Sequence, residues 1–585
     1  MIPVRQYWSL LVDYLRPHKP RVVLLAVLLF TGIAFQLINP QIVRSFIDKA
    51  IAGADQTTLV RLALTFAALA VAHQALSVIA TYLAENIGWA ATNELRGDLA
   101  EHCLRLDMGF HKTRTPGEMI ERIDGDVTSL SNFFGQFVIH VVGNLVLLVG
   151  ILVLLFRENL LVGLGISVFA GVALLGMVGI QNVALPWWKR VRQRSAEFYG
   201  FLGEQLGGTE DIRSNGATDF FLRRFTEHLR AWLPDAVRGF MGWAVLWSTN
   251  IVVFAVGTAL VFWLGSRLFG DGSLTIGSVY LVFTYTELLR QPLDRIRHQM
   301  EDLQKAGAGM SRVEDLLALT SRIESVGAAQ LQPGPFSVEF DAVTFAYQDG
   351  DEEMGDVVLD GVSFRVASGR VVGVLGRTGS GKTTLARLLT RLYDPIEGRV
   401  LLGGVAARET KPDELRRRVG MVTQDVQLFR ASVRDNLTFF DPDASDEAIM
   451  EVLLDLGLTD WVRSLPEGLD TLLESGSGGL SAGEAQLLAF TRIFLKDPGL
   501  VILDEASSRL DPATEQLIER AVDKLLANRT GIIIAHRLAT VTRADDVLIM
   551  DEGRVVEFGE RVALAADPES RFARFLRVGL EEVLA

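Results

Sequence analysis

Long apolar runs fill the first half of this chain and stop near residue 297. Four runs carry almost no charge and a fifth is of similar length: residues 22–40, 63–84, 133–156, 159–188 and 239–265. A sixth run, residues 274–293, is weaker because Glu287, Arg290 and Pro292 interrupt it. A helix needs about 20 apolar residues to cross a bilayer, since every backbone amide must be bonded within the segment. The pattern predicts six membrane-spanning helices in an all-α domain.

The connections between these runs differ sharply in charge. Those between runs two and three and between runs four and five are long and basic, with Arg96, Lys112, Lys189 and Arg190 among their residues. The loops after runs three and five are very short. Because cytoplasmic loops keep an excess of Lys and Arg, we expect both termini to be cytoplasmic.

Each basic connection has helical periodicity with one interruption, at residues 110–118 and 207–217. Taken alone, each interruption is equally well explained as a solvent-exposed turn. Their place at the tips of long helical hairpins also makes them natural contact points for a soluble domain.

Beyond residue 297 the pattern changes from long apolar runs to short β-branched runs that alternate with helical stretches. Examples of these short runs are residues 371–375, 500–503 and 531–535. Such alternation predicts an α/β domain with a mainly parallel sheet.

A helix-breaking sequence, Leu331-Gln-Pro-Gly-Pro335, marks the boundary between the two halves. We therefore predict a transmembrane domain over residues 1–320, a linker over residues 321–335, and an α/β domain over residues 336–585. A chain of 585 residues is also too long for one compact domain.

Composition excludes two classes of partner or scaffold. The formal net charge of −14 argues against nucleic-acid binding, which needs a basic face. The single cysteine, Cys103, rules out an internal disulfide framework, and we expect it to be a small buried residue.

A glycine-rich sequence directly follows the strand predicted at residues 371–375. It consists of Gly376, Arg377, Thr378, Gly379, Ser380, Gly381, Lys382, Thr383 and Thr384. The glycines let backbone amides point at phosphates, Lys382 offsets phosphate charge, and the Thr383 hydroxyl can ligate Mg²⁺. This is a P-loop, and it predicts binding of ATP with Mg²⁺.

The strand predicted at residues 500–503 runs into two carboxylates, Asp504 and Glu505. Acidic residues after a strand are common, so this pair alone would not indicate a catalytic site. It does so here because a parallel sheet would place the two carboxylates beside the P-loop. Asp504 would then hold Mg²⁺, and Glu505 would polarise the attacking water.

A further motif resembles a known family. Leu480-Ser481-Ala482-Gly483-Glu484 is similar to the signature of ATP-binding cassette (ABC) proteins, and it stands at the family's usual distance before Glu505. The resemblance assigns roles to four more residues. It implies that Tyr347 stacks on adenine and that Gln424 is the Q-loop glutamine, which also contacts Mg²⁺. Asp511 would end the D-loop, and His536 would be the switch histidine.

The membrane half resembles the exporter subfamily, which has six helices fused ahead of one cassette. The resemblance implies ATP-driven export of an amphiphilic small molecule or lipid across the cell (plasma or inner) membrane. It also implies a second half-transporter chain, with each P-loop facing the other chain's signature. The turn at residues 117–118 and the segment 204–225 resemble the family's coupling helices.

The signature departs from the family pattern at two positions. Ala482 and Glu484 replace the usual glycine and glutamine, and an acidic residue of the preceding X-loop stands one place early at Glu474. Alanine removes backbone freedom and glutamate adds negative charge near a phosphate. We therefore favour a heterodimer, whose partner supplies the intact signature. A homodimer is the main alternative, since Ser481 and Gly483 survive.

Two other functions use the same fold. A nucleotide-gated channel or regulator would need binding more than hydrolysis, and the presence of Glu505 and His536 favours turnover. An importer built on the exporter scaffold also remains open. Polar residues within the predicted spans either line a translocation cavity or bond helices together. They are His73, His140, Asn144, Asn182 and Glu287.

Overall fold

The structure, a computed structural model, describes residues 12–136, 141–323, 329–348, 355–424, 426–474, 480–504, 512–535 and 538–578. The chain forms two compact units. One contains Met1–Cys103 and Gly117–Ala318, and the other contains Leu104–Pro116 and Leu319–Ala585. A short segment that lies between the second and third predicted spans in sequence thus belongs to the ATPase unit.

The first half of the chain is helical throughout nearly all its described residues. The helices are α1 Lys19–Ile51, α2 Gln56–Arg105, α3 Met108–Thr113, α4 Pro116–Ile120, α5 Val127–Gln136, α6 Asn144–Glu158, α7 Leu160–Gly207, α8 Thr209–Ser214, α9 Thr218–Gly270 and α10 Ile276–Leu317, with a π-helical segment Glu121–Asp126 before α5. The expected interruptions of the two long connections are present as the short helices α3, α4 and α8.

Five helices in the described part of the chain are long and apolar enough to cross a membrane. They lie within Val12–Ile51, Gln56–Arg105, Val141–Glu158, Leu160–Gly207 and Thr218–Gly270. The sixth predicted span lies in α10, a continuous helix that is not one of these five. Its membrane crossing stays a prediction.

Small residues let the helices of the membrane half approach closely. A Cβ added at Gly239 of α9 would lie 2.7 Å from Val191 of α7, and the indole N–H of Trp188 donates to the Gly239 carbonyl at 3.0 Å. Close backbone approach of this kind drives helix association where lipid removes the hydrophobic effect. Cys103 is buried near the end of α2, as expected.

Hydrogen bonds to two carboxylates, those of Asp48 and Glu158, connect three helices of the membrane half. Arg44 of α1 donates to Glu158 at the end of α6 at 2.7 Å, and Ser278 of α10 donates to the same carboxylate at 2.6 Å. Asp48 accepts from the Gly277 backbone amide at 2.9 Å. These bonds fix α1, α6 and α10 relative to one another.

The ATPase unit contains ten strands in two sheets among its described residues. They are β1 Val338–Ala346, β2 Val357–Val366, β3 Val371–Leu375, β4 Glu397–Leu402, β5 Val405–Ala406, β6 Val419–Val422, β7 Leu500–Asp504, β8 Thr530–Ile534, β9 Asp546–Asp551 and β10 Arg554–Glu560. The larger sheet has the order β10-β9-β3-β8-β7-β6 and is parallel apart from β10, whereas the smaller sheet, β2-β1-β4-β5, is antiparallel. The predicted α/β domain with a mainly parallel sheet is confirmed.

Helices cover the parallel sheet, which explains why β3, β7 and β8 are buried along their whole length. Besides α3 and the 3₁₀ turns, the described helices of this unit are α11 Lys382–Leu389, α12 Pro412–Arg418, α13 Val433–Thr438, α14 Asp446–Asp455, α15 Thr459–Ser464, α16 Ala482–Lys496, α17 Pro512–Leu526, α18 Leu538–Val541, α19 Arg561–Ala566 and α20 Arg571–Val578. Two hydrophobic clusters result, and Phe490 and Phe340 are among their largest fully buried side chains.

Candidate nucleotide site

The P-loop lies at the carboxyl end of β3, which is flanked by β8 and β9 in the parallel sheet. Its glycines have positive φ angles, 149° at Gly376, 86° at Gly379 and 98° at Gly381. A Cβ at Gly381 would also lie 2.6 Å from Leu359, so glycine suits this position on both counts. The loop turns directly into α11, whose N-terminal amides are suited to an anion.

Two buried polar groups sit inside this loop. The ammonium of Lys382 donates to the carbonyls of Gly376 at 2.7 Å and Arg377 at 2.8 Å. The Ser380 hydroxyl is buried and has no hydrogen-bond partner among the described residues. A buried hydroxyl without a partner is costly, and a phosphate oxygen would satisfy it. The loop therefore fits the triphosphate that the sequence predicts.

Three predicted metal or phosphate ligands share one edge of the parallel sheet. Thr383 is exposed in the first turn of α11, buried Asp504 ends β7, and exposed Gln424 follows β6. The carboxyl ends of parallel strands meet at one edge, so the structure brings these residues to the same side as the P-loop. Their hydroxyl, carboxylate and carboxamide oxygens are the hard donors that Mg²⁺ takes.

Tyr347 follows β1 and is held against the P-loop helix. Its hydroxyl lies 2.9 Å from the Thr384 hydroxyl and accepts from the Arg387 guanidinium at 2.9 Å. The ring packs edge-on against Phe345 and Tyr393, at centroid distances of 4.9 and 5.2 Å. The predicted adenine-stacking residue is thus half-buried beside the helix that follows the phosphate loop.

Sequence reasoning missed one neighbour of Tyr347. The ammonium of Lys112, in α3, lies 4.8 Å from the centroid of the Tyr347 ring. A cation at this distance over an aromatic face is attracted to it. Since the two residues are distant in sequence, the only available signal was that residues 110–118 break the helical pattern at a hairpin tip.

The signature motif begins α16. Ser481 is the N-cap, and its backbone amide and hydroxyl both donate to Glu484, at 2.8 Å each, while its hydroxyl accepts from the Glu484 amide at 3.3 Å. This is a capping box, and the Ser-x-x-Glu spacing could have predicted it. Ser481 and Ala482 are exposed, whereas Gly483 is buried.

Three predicted residues of the ATPase machinery, Glu505, Asp511 and His536, lie outside the described residues. The strands that precede two of them are in place. Glu505 directly follows β7, and His536 comes two residues after the end of β8. The strands β7 and β8 are neighbours in the sheet.

The structure places the polar residues predicted within the spans differently. His73 and Asn144 line one cavity between helices. Glu287 instead accepts from Thr258 at 3.3 Å, which is a bond between α10 and α9. Asn182 does not line that cavity, and His140 lies outside the described residues. Arg295, just beyond the sixth predicted span, also lines the cavity and was not identified from the sequence.

The sequence is similar to known proteins along most of its length. Residues 22–293 match the family described as the ABC transporter transmembrane region, and residues 359–508 match that described as ABC transporter. The chain is 28% identical to the ATP-dependent lipid A-core flippase of Idiomarina loihiensis, covering 94% of each chain. It is 31% identical to the cyclolysin secretion/processing ATP-binding protein of Bordetella pertussis, over 91% of this chain and 74% of that protein.

A solved structure extends the likeness to three dimensions. It is that of a bacterial Atm1-family ABC exporter with ATP bound, with a TM-score of 0.78 and 26% identity. The match covers 96% of this chain and 98% of the exporter. The fold described above is therefore an ABC exporter fold along nearly its full length.

Proposed function

This chain belongs to the ABC transporter family, and we propose that it is the hydrolytic half of a heterodimeric exporter. It is a membrane-embedded exporter subunit whose ATPase domain couples ATP hydrolysis to transport of an amphiphilic substrate. The observation that carries ATP binding and hydrolysis is the P-loop itself, with its positive-φ glycines, its buried Lys382 and a Ser380 hydroxyl that a phosphate oxygen would satisfy.

We assign the nucleotide to the residues that meet at the carboxyl edge of the sheet. The amides of residues 376–384 and the Lys382 ammonium hold the phosphates, and the Tyr347 ring stacks on the adenine. Thr383, Asp504 and Gln424 would hold Mg²⁺. When bound, the metal would offset phosphate charge.

Hydrolysis is assigned to two residues on the basis of sequence. Glu505, next to Asp504, would accept a proton from the attacking water. His536 would contact the γ-phosphate from the neighbouring strand β8. Both follow buried strands of a rigid sheet, which suits groups that must be positioned accurately.

The asymmetry of the proposal rests on the signature. By family resemblance, Ser481 faces the ATP held by the other chain. Here a carboxylate of the same motif lies 2.8 Å from the Ser481 hydroxyl and would repel that ATP's phosphates. A partner with an intact signature would complete the hydrolytic site on this chain, while this chain's signature would serve a site that mainly holds ATP.

We further propose that both termini face the cytoplasm of a plasma or inner membrane, and that the coupling helices lie around the turn at residues 117–118 and within the segment 204–225. The contact of Lys112, a few residues before the first of these, with the Tyr347 ring supports a role of this hairpin tip in coupling to the ATPase domain.

The test is ATP hydrolysis by the purified transporter in lipid nanodiscs, compared with Lys382→Ala. Removing the ammonium should weaken ATP binding and reduce hydrolysis to background. Lys524→Ala is the control, since this lysine is half-exposed and pairs with Asp455, which has no assigned part in nucleotide binding. Unchanged nucleotide affinity in Lys382→Ala would refute the assignment of the P-loop.

A further inference from the structure

The hairpin tip that carries α3 is part of the ATPase unit and is held against the end of β1. Asp107 is the N-cap of α3, and its carboxylate also accepts from the backbone amide of Arg322 at 2.8 Å. A Cβ added at Gly109 would lie 3.2 Å from the Gln348 carbonyl, so glycine suits this close approach. The helix α3 is therefore fixed beside the residue that follows Tyr347.

This placement brings Lys112 of α3 to the Tyr347 ring, with its ammonium 4.8 Å from the ring centroid. Lys112 is exposed, so we infer that it lies on the solvent side of the ring. Buried Phe345 and half-buried Tyr393 pack against the same ring from the domain core, each at an interplanar angle of 86°. A second cation, Arg387, bonds to the ring's hydroxyl, and its guanidinium carbon lies 5.8 Å from the centroid.

A nucleotide base enters from solvent, so it stacks on the side of the ring that the core leaves open. A stacked base lies in van der Waals contact with the ring, about 3.5–4 Å away. The ammonium of Lys112 is at 4.8 Å from the centroid, which leaves no room for a base between it and the ring. The base and the ammonium therefore cannot occupy this side of the Tyr347 ring together.

We propose that Lys112 is an autoinhibitory residue, which competes with the adenine of ATP for the Tyr347 ring and must be displaced before the base stacks. This inference rests on the proposed function, since it takes Tyr347 as the adenine platform. It does not require that Lys112 lack other partners, because the competition is for the space over the ring.

The direction of the effect separates this role from a simple role of charge. Displacing the ammonium costs its attraction to the aromatic face, so Lys112→Ala should bind ATP about two- to fivefold more tightly. A lysine that only attracted the phosphates would act the other way, and its loss would weaken ATP binding. Lys112→Arg keeps a cation that stacks on aromatic faces, and should bind ATP no more tightly than the unchanged chain.

The experiment measures equilibrium binding of ATP and of inorganic tripolyphosphate to the full transporter in nanodiscs. Mg²⁺ is left out so that ATP is not hydrolysed. Tripolyphosphate has the phosphates without the base, so its affinity should be the same in Lys112→Ala and in the unchanged chain. Lys524→Ala is the matched control, because it removes the same side chain from a site that pairs with Asp455, and it should alter neither affinity.

A double variant shows whether Lys112 acts through the ring. In a chain that already carries Tyr347→Leu, Lys112→Ala should no longer change the affinity for ATP. The thermal unfolding midpoint of each variant checks that the fold is unchanged, and Lys112→Gln, which also removes the charge, takes the place of Lys112→Ala if the alanine variant does not fold.

Unchanged or weaker ATP binding in Lys112→Ala would overturn the proposal, as would an equal gain in affinity for tripolyphosphate or a gain that persists with Tyr347→Leu. Tyr347→Leu alone distinguishes this failure from failure of the proposed function. If Tyr347→Leu binds ATP as the unchanged chain does, the platform itself is wrongly assigned. If it binds ATP more weakly while Lys112→Ala shows no gain, only the competition is refuted.

Discussion

One carboxylate oxygen of Glu484 accepts two hydrogen bonds from Ser481, one from the backbone amide and one from the hydroxyl, each 2.8 Å long. The glutamate that departs from the family signature thus closes a capping box at the start of α16. The same bond occupies the hydroxyl that the family directs towards the partner's ATP. We therefore expect the change to stabilise the helix and, at the same time, to weaken the signature.

Glu484→Gln separates these two effects. A glutamine oxygen can still accept from the Ser481 amide, but the negative charge is gone. We expect affinity for ATP at the site facing this signature to rise about fivefold, the size of roughly 1 kcal/mol of relieved repulsion. Nucleotide retention by the purified complex measures this.

Glu484→Ala is the control for the cap. It removes the charge and the capping hydrogen bond together, and should cost about 1 kcal/mol of stability at the start of α16. If Glu484→Gln left both retention and turnover unchanged, the charge would not be what weakens this signature.

Tyr347 offers a test of adenine stacking. Tyr347→Leu should raise the dissociation constant for ATP about tenfold, because stacking on an aromatic ring contributes about 1–3 kcal/mol per base. Tyr347→Phe keeps the ring and loses only the bonds to Thr384 and Arg387, so its effect should be smaller.

Inorganic tripolyphosphate is the matched ligand, since it has the phosphates without the base. Its affinity should be the same in the unchanged chain and in both variants. A loss of tripolyphosphate binding equal to that of ATP would mean that Tyr347 acts on the P-loop helix and not on the adenine.

Arg492 of α16 is a structural test. It is buried and donates to the backbone carbonyls of Asn436 at 2.7 Å and Gln427 at 3.1 Å, and it lies 4.5 Å from the Phe439 ring centroid. Arg492→Met should destabilise the ATPase domain by about 2–4 kcal/mol, because two buried carbonyls lose a charged donor. The thermal unfolding midpoint of the full transporter measures this.

The pH dependence of this effect follows from the pKa of Arg492. Burial lowers that pKa to about 10. A lowered folded-state pKa means that folding disfavours the charged form, so its titration affects stability only as the pH approaches this value. At neutral pH the guanidinium stays charged in both the folded and the unfolded state. The loss of stability caused by Arg492→Met should therefore be constant from about pH 6 to about pH 8.

Much of the fold could be predicted because its signals are local. Apolar runs long enough to cross a bilayer predicted the membrane helices, and the buried strands β3, β7 and β8 fall where β-branched runs placed them. The P-loop could also be predicted from the sequence, since its glycines and Lys382 lie within one short stretch of the chain.

Long-range relations could not be read in this way. The approach of Lys112 to Tyr347 depends on the hairpin tip belonging to the ATPase unit. The position of Arg295 in the wall of a cavity depends on four helices meeting there, although the residue lies just past the end of a predicted span. The hydrophobic periodicity of the sequence predicts neither the Lys112–Tyr347 contact nor the position of Arg295 at the cavity.

In the proposed heterodimer, this chain supplies the catalytic glutamate while a different chain supplies the working signature. ATP turnover should be measured for this chain purified alone and co-expressed with a half-transporter encoded beside it, each with and without Glu505→Gln here. We expect turnover only on co-expression, and loss of at least about 100-fold with Glu505→Gln, as for removal of a general base. ATP binding should persist in that variant. Robust turnover by this chain alone, or full turnover with Glu505→Gln, would contradict this division of roles between two chains.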